Sequence, residues 1–327
     1  MILFIIAIGL LVLLFLFVLW YKLVARFHRV SIVGKPPARF RHGDPVTASL
    51  QGLRNEQDLA LLHLLMLRHL PVVVCLGDSI THGVISTNYV DILQERFENR
   101  YLFVNSGING NLAYNVNRRL EEDCIELDPD IVTILIGTND VNARESNDTA
   151  TMYIRQQELP QKPNRDFFSH NLRRILSRLR SETRADIAIM SLPVIGEELD
   201  SAVNKRVTQY SQIIEDLARE FGASYIPLNE AQRAYLEEIP DRKPTPYQRQ
   251  SLLKTMSLMI NKSFDQIAEG QGNHLTYDGL HQTSEGGRII ARLVGDYLEE
   301  RDATIGRSSE TWPPRVARSS QAEVSGE

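Results

Sequence analysis

The chain has 327 residues, 43% of them hydrophobic and 24% charged, and a net charge of -5. Those proportions belong to a globular protein and exclude a disordered chain, a collagen-like repeat and a polytopic membrane protein. The average conceals a split: residues 1–42 carry six Lys or Arg and no acid, which leaves 30 basic against 41 acidic residues in 43–327, a net of -11. A body this acidic offers no basic face for phosphates, which argues against nucleic acid as a partner.

From Ile2 to Trp20 there is no charged or strongly polar side chain. About 20 apolar residues at roughly 1.5 Å rise span the hydrocarbon core of a bilayer, and Trp20 and Tyr21 suit its interfacial belt. Residues 1–21 are therefore expected to form a transmembrane helix. The competing reading is a cleaved signal peptide, which wants a basic start and a shorter apolar core. Here nothing basic precedes the run, and Leu23-Val24-Ala25 is a poor cleavage site. All six basic residues follow the run, so the positive-inside rule places the body in the cytoplasm, with an extracytoplasmic body as the alternative.

Residues 22–70 read as a basic juxtamembrane linker and an amphipathic helix. Pro36, Pro37 and Pro45 mark the linker over 31–49, and leucines on one broad face mark a helix over 50–70. That apolar face suits packing on the body or lying on the membrane.

From residue 71 the chain alternates. Five Val- and Ile-rich runs are expected as buried strands: Val72–Leu76, Leu102–Asn105, Ile131–Ile136, Asp186–Leu192 and Ser224–Leu228. Helical patterns lie between them near 88–98, 111–127, 165–182 and 203–221, and a last one follows Ser284. This rhythm predicts an α/β body with a parallel sheet covered on both faces, over residues 71–302. Residues 141–164 and 229–275 are polar, break the rhythm, and have the length of lids or substrate walls. Residues 303–327 read as a disordered tail. Cys75 and Cys124 read as small buried hydrophobes rather than a disulfide framework.

In such a sheet, sites form at the C-terminal strand ends. After the first strand comes Gly77-Asp78-Ser79-Ile80-Thr81-His82-Gly83. After the second comes Asn105-Ser106-Gly107-Ile108-Asn109-Gly110-Asn111, and after the third Gly137-Thr138-Asn139-Asp140. Asp278-Gly279-Leu280-His281 precedes the last helix. These residue types suit acyl transfer. Ser79 on a tight turn is a candidate nucleophile, and a hydroxyl needs a base within hydrogen-bond reach. His281 is the candidate base, and Asp278 can hold its other ring N–H. The backbone N–H groups of Ser79 and Gly107 and the side-chain amide of Asn139 are candidate oxyanion donors. Gly107, lacking a Cβ, allows close approach of a substrate.

These four blocks, in this order and strand context, resemble the SGNH/GDSL hydrolase family over roughly residues 71–300. The resemblance implies a flavodoxin-like three-layer α/β/α sandwich with five parallel strands ordered 2-1-3-4-5. It implies Ser79 as nucleophile, Asp278 and His281 as the rest of a triad, and Ser79, Gly107 and Asn139 as the oxyanion hole. It implies no metal and no organic cofactor. The Gly-x-Ser-x-Gly elbow of the larger α/β hydrolases is absent from the chain.

Other polar residues in the blocks have plainer readings. Asp78 and Asp140 are expected to support their turns. Asn105 and Asn109 read as loop scaffolding, with substrate contact as the alternative. His82, three residues from Ser79, lacks a carboxylate partner in sequence and is at most a substrate-lining residue; His274 reads as a loop residue. The function these readings converge on is a membrane-anchored serine esterase acting on small-molecule or lipid-like acyl esters such as lysophospholipids. The alternatives are an acyltransferase or carbohydrate deacetylase using the same residues, and a non-enzymatic membrane scaffold.

Overall fold

The computed structural model describes residues 31–33, 70–98, 100–243, 246–247 and 262–307. The apolar run 1–21, the helix expected within 50–70 and the tail beyond 307 lie outside the described residues. Among the described residues no helix is long and apolar enough to cross a membrane.

Among the described residues six strands form: β1 Ser31–Val33, β2 Val72–Gly77, β3 Leu102–Gly107, β4 Ile131–Leu135, β5 Asp186–Met190 and β6 Ser224–Ile226. They pair in the order β1-β3-β2-β4-β5-β6. The last five are mutually parallel. Numbered among themselves they run 2-1-3-4-5, the expected order. The register sets Gly77 beside Gly107 on one side and beside Leu135 on the other, so the strand ends carrying the motifs form one rim.

β1 corrects the sequence reading, which placed Ser31–Val33 in a linker. This segment pairs antiparallel with β3, Ser31 opposite Asn105 and Val33 opposite Phe103. Three residues are too few to show a period of two, and what places them is the open edge of β3 rather than their own pattern.

Among the described residues ten α-helices accompany the strands: α1 Ser79–His82, α2 Tyr89–Arg96, α3 Ala113–Asp123, α4 Thr138–Asn142, α5 Asn147–Gln156, α6 Arg165–Glu182, α7 Ala202–Phe221, α8 Leu228–Glu237, α9 Phe264–Glu269 and α10 Ser284–Arg307. Their ends follow ordinary capping chemistry. Asn164 accepts from Phe167 N–H at the start of α6, and Ser201 accepts from Asn204 N–H at the start of α7. α10 runs to Arg307, past the expected tail boundary at 303. Arg301 bonds Asp186 at 2.5 Å, and Asp302 accepts from Arg100 and Tyr101, which anchors α10 to the body just before that boundary.

The three layers follow from side-chain alternation in the strands. Val72, Val74 and Leu76 of β2, with Val132 and Ile134 of β4, pack under Val116, Leu120, Leu172, Ile175, Val207 and Ile214 of α3, α6 and α7. Val73 and Cys75, with Phe103, Ile131 and Leu135, face Val90, Leu93, Ile290 and Val294 of α2 and α10. Strands apolar on both faces are what a sheet with helices on each side requires. Cys75 and Cys124 are free and buried, and desolvation pushes both thiols up to about 12.

Candidate active site

β2 ends at Gly77 and the chain turns directly into α1. Asp78 caps that helix, its Oδ1 accepting from Ile80 N–H at 3.0 Å. Ser79 is therefore the first helical residue, where the backbone N–H has no intrahelical acceptor. Burial raises the Asp78 carboxyl to about 6, against the opposing pull of Ile80 N–H, His281 and Arg119.

From the other end of the chain, the loop before α10 brings His281 to this turn. Ser79 Oγ and His281 Nε2 are 3.0 Å apart. His281 Nδ1 and Asp278 Oδ2 are 2.8 Å apart. The second oxygen of Asp278 accepts from the N–H groups of Leu280, at 2.9 Å, and His281, at 2.8 Å. Burial by itself would raise the Asp278 pKa. The positive His281, its ring hydrogen bond and the two backbone donors outweigh that and hold the carboxyl below its ordinary value. For His281, burial works downward, but Asp278 and the more distant Asp78 prevail and raise the imidazole. The Tyr277 ring stacks beside His281 with centroids 6.0 Å apart, and its hydroxyl donates to Ile85 C=O.

Asn139 arrives on α4. Its Nδ2 donates to Asn111 C=O at 3.0 Å and reaches Asp78 Oδ2 at 3.4 Å, which sets the amide beside the Ser79 turn. Asp140 accepts from Ala113 N–H at 3.1 Å, tying α4 to the start of α3.

Gly107 is placed at the rim, but with a different rationale from the expected one. A Cβ on it would lie 2.2 Å from His82 N and 2.6 Å from Thr81 C. The missing side chain therefore lets β3 pack against α1 rather than admitting a substrate. Its N–H donates to Asn105 Oδ1 at 3.0 Å, so it serves an oxyanion only by sharing or releasing that bond. Asn105 also donates to Thr81 C=O at 2.8 Å, and so it braces α1 in the manner of loop scaffolding. His82 Nδ1 pairs with Asn109 Oδ1 at 2.9 Å, whereas Nε2 of His281 is the ring nitrogen at Ser79. The backbone N–H of His274 donates to Glu197.

Sequence reasoning missed two charged residues that hold the rim. The Arg119 side chain is only 10% exposed. Its guanidinium donates to Gly77 C=O, Ser106 C=O, Ser106 Oγ and Asn111 Oδ1, at 2.8 to 3.0 Å, and pairs with Asp123 at 3.0 Å. It thus clamps the ends of β2 and β3 to the residue that accepts from Asn139. The available signal was helical spacing: Arg119 lies three residues after buried Val116 and four before buried Asp123. Glu197 is fully buried beyond β5 and accepts from the N–H groups of His274, Leu275 and Thr276 at 2.7 to 2.9 Å. It shapes the loop that delivers Asp278. It follows a strand end like the other site residues, so the same rule applied to β5 finds it.

Among the described residues no group of three or more His, Cys, Asp or Glu side chains is arranged to hold a metal ion. What the rim does hold is a hydroxyl, an imidazole and a carboxylate in series, beside an amide donor. A hydroxyl 3.0 Å from a ring nitrogen can pass its proton to it as the oxygen attacks a carbonyl.

The sequence profile of the GDSL-like Lipase/Acylhydrolase family matches residues 75–289, a span containing all four blocks. The chain belongs to that family. This GDSL-family protein is an ester-bond hydrolase. It is 27% identical over 172 residues to an acetylxylan esterase of Geobacillus stearothermophilus, a match covering 46% of this chain and 73% of the relative. Two solved structures share its fold. Axe2, an acetylxylan esterase from the same organism, aligns with a TM-score of 0.51 and 20% identity over 68% of this chain and 92% of its own. The acetyl xylan esterase AlAXEase aligns with a TM-score of 0.51 and 22% identity over 69% and 98%.

Proposed function

We propose that this GDSL-family hydrolase is a serine esterase working through an acyl-enzyme. The observation that carries the reading is the unbroken series Ser79 Oγ, His281 ring, Asp278 carboxylate, with links of 3.0 and 2.8 Å. Ser79 Oγ attacks the ester carbonyl carbon and its proton passes to His281 Nε2. Asp278 stabilises the imidazolium that results. The Ser79 N–H and the Asn139 amide, with Gly107 as the third donor, bear the charge on the oxyanion. Collapse of the intermediate expels the alcohol, which leaves with the proton from His281. Water, deprotonated by the same ring, then attacks acyl-Ser79 and releases the acid. Asp78 and Asp140 support the two turns and transfer no proton.

For the substrate we assign short acyl esters on carbohydrate, on the strength of the acetylxylan esterase similarity. A second reading, lipid-like acyl esters, is favoured by the uncharged run from Ile2 to Trp20. That run acts as a single-pass anchor in this proposal, with the body on the cytoplasmic side. The test is a panel on the detergent-solubilised full chain: p-nitrophenyl esters of increasing chain length, acetylated xylo-oligosaccharides and a lysophospholipid. Highest kcat/KM on acetyl esters and release of acetate from the saccharide support the first reading. Activity that climbs with chain length and cleaves the lysophospholipid replaces it with the second. A chain that cleaves none of them and resists a fluorophosphonate probe at Ser79 overturns the enzymatic assignment. An acylated sugar exceeding free acid, when an acceptor is supplied, turns the reading to a transferase.

A further inference from the structure

Residues 141–164 and 229–275 break the strand–helix rhythm of the sequence, and each sends one tyrosine toward the amide of Asn139. Tyr153, on α5, is 6% exposed. Its hydroxyl donates to Asn139 Oδ1 at 2.6 Å and accepts from Asn142 Nδ2 at 2.9 Å. The hydroxyl of Tyr247 donates to Asn142 Oδ1 at 2.7 Å. At the inner end, Asn139 Nδ2 donates to Asn111 C=O at 3.0 Å.

Every link in this chain points the same way. Tyr247 O–H gives to Asn142, Asn142 N–H gives to Tyr153, and Tyr153 O–H gives to Asn139. A phenol has one proton, and Nδ2 of Asn142 is itself a donor, so the Tyr153 proton is committed to Asn139. That bond fixes the flip of the Asn139 amide, with its oxygen toward Tyr153 and its nitrogen toward Asn111 and the Ser79 turn. Hydrogen bonds in series also polarise one another. A proton held on the amide oxygen draws density from the nitrogen and makes the N–H a stronger donor.

The outer end of the chain rests on the opposite half of the site. Gly279 lies between Asp278 and His281 and has φ +87, and a Cβ there would stand 2.4 Å from Cδ2 of Tyr247. A Cβ on Gly196 would stand 2.7 Å from the Tyr247 Cβ. One aromatic side chain therefore packs against the loop that delivers the base and bonds the network behind the oxyanion amide.

We propose that Tyr153 is a positioning residue that orients and polarises the Asn139 amide, and that Tyr247 braces it through Asn142. This rests on Asn139 being an oxyanion donor. The experiment compares Tyr153→Phe, Tyr247→Phe and Asn139→Ala in the full chain, singly, and each tyrosine variant combined with Asn139→Ala, on p-nitrophenyl acetate. Tyr153→Phe is expected to lower kcat about tenfold with KM within about twofold, a part of what a whole oxyanion donor supplies. Tyr247→Phe, one link further out and only partly buried, is expected to lower kcat about threefold. On the Asn139→Ala background neither substitution lowers kcat further, because nothing remains to be oriented. If Asn139→Ala is slow while both tyrosine variants match the wild type, the chain carries nothing and the proposal is overturned. A tyrosine effect that is equally large without Asn139 overturns it too, since it marks a purely structural role. An Asn139→Ala enzyme with normal kcat removes the oxyanion reading underneath, and the proposal with it.

Discussion

Two aspartates close to the reacting centre, Asp278 and Asp140, are driven to opposite titration behaviour. Asp278 takes a ring N–H from His281 and backbone N–H groups from Leu280 and His281. Those partners overcome its burial and keep it ionised below the ordinary carboxylate range. Asp140 is 1% exposed and accepts from Ala113 N–H, while its Oδ1 has no partner among the described residues. Burial, with the neighbouring Asp78 adding to it, pushes Asp140 up to about 8. Burial is common to both residues; the number and charge of the donors decides which carboxyl carries charge at neutral pH. A carboxylate serving an imidazole must be the charged one. A carboxyl bracing a turn has no such requirement.

The largest test removes the charge from the first of the pair. Asp278→Asn is expected to lower kcat by about 10⁴, the cost of misorienting the imidazole tautomer in a comparable triad, and Ser79→Ala and His281→Ala by at least as much. Steady-state assays with active-site titration measure this, and an Asp278→Asn enzyme within tenfold of wild type would show that the charge on Asp278 does not serve His281. Next comes Arg119, a buried charge whose donors are all matched. Arg119→Ala leaves Asp123 and several rim acceptors unpaired and is expected to destabilise the fold by about 3–5 kcal/mol in denaturant titrations. Asn139→Ala is expected to cost about 10²–10³ in kcat.

The pH dependence sharpens the contrast further. In the proposed mechanism His281 accepts the Ser79 proton and so must be neutral, and its imidazole is raised. The acid limb of kcat/KM is therefore expected above the ordinary histidine value. In stability the pair works in opposite directions. The Asp278 contribution is lost as pH falls through its lowered pKa, and the His281 contribution is lost as pH rises through its raised one. Asp140 behaves otherwise. Its folded pKa of about 8 exceeds the usual 3.8, so the folded state holds the proton more tightly and stability declines between those values as pH rises. Asp140→Asn copies the protonated form and keeps an acceptor for Ala113. The smallest expected effect is a Tm gain of a few degrees at pH 8 that shrinks toward pH 5. A gain independent of pH would show that Asp140 is already ionised in the fold.

The site was legible in sequence wherever a residue sits directly beyond a strand. Ser79, Gly107 and Asn139 stand at the rim because parallel strands bring their C-terminal ends to one side of the sheet, and Asp278 and His281 reach it from the loop before α10. Residues acting from elsewhere left little trace. Arg119 lies within a run of polar helix residues, and its helical spacing from Val116 and Asp123 is the slight local mark that separates it from neighbours that face water. Tyr153 and Tyr247 lie in segments with no period to read. The reason offered for Gly107 failed for a related cause: a glycine announces a close approach without saying what approaches it.

From its own pattern the chain determines the five parallel strands, their helices and the residues of the candidate triad, because side-chain periodicity and strand-end position are local properties. Tertiary structure alone decided the rest. It paired Ser31–Val33 with the edge of β3, set the Arg119 guanidinium against the ends of β2 and β3, and gave Asp140 its donor in Ala113. Each of those outcomes depends on a partner far away in sequence, and a local pattern carries no information about such a partner.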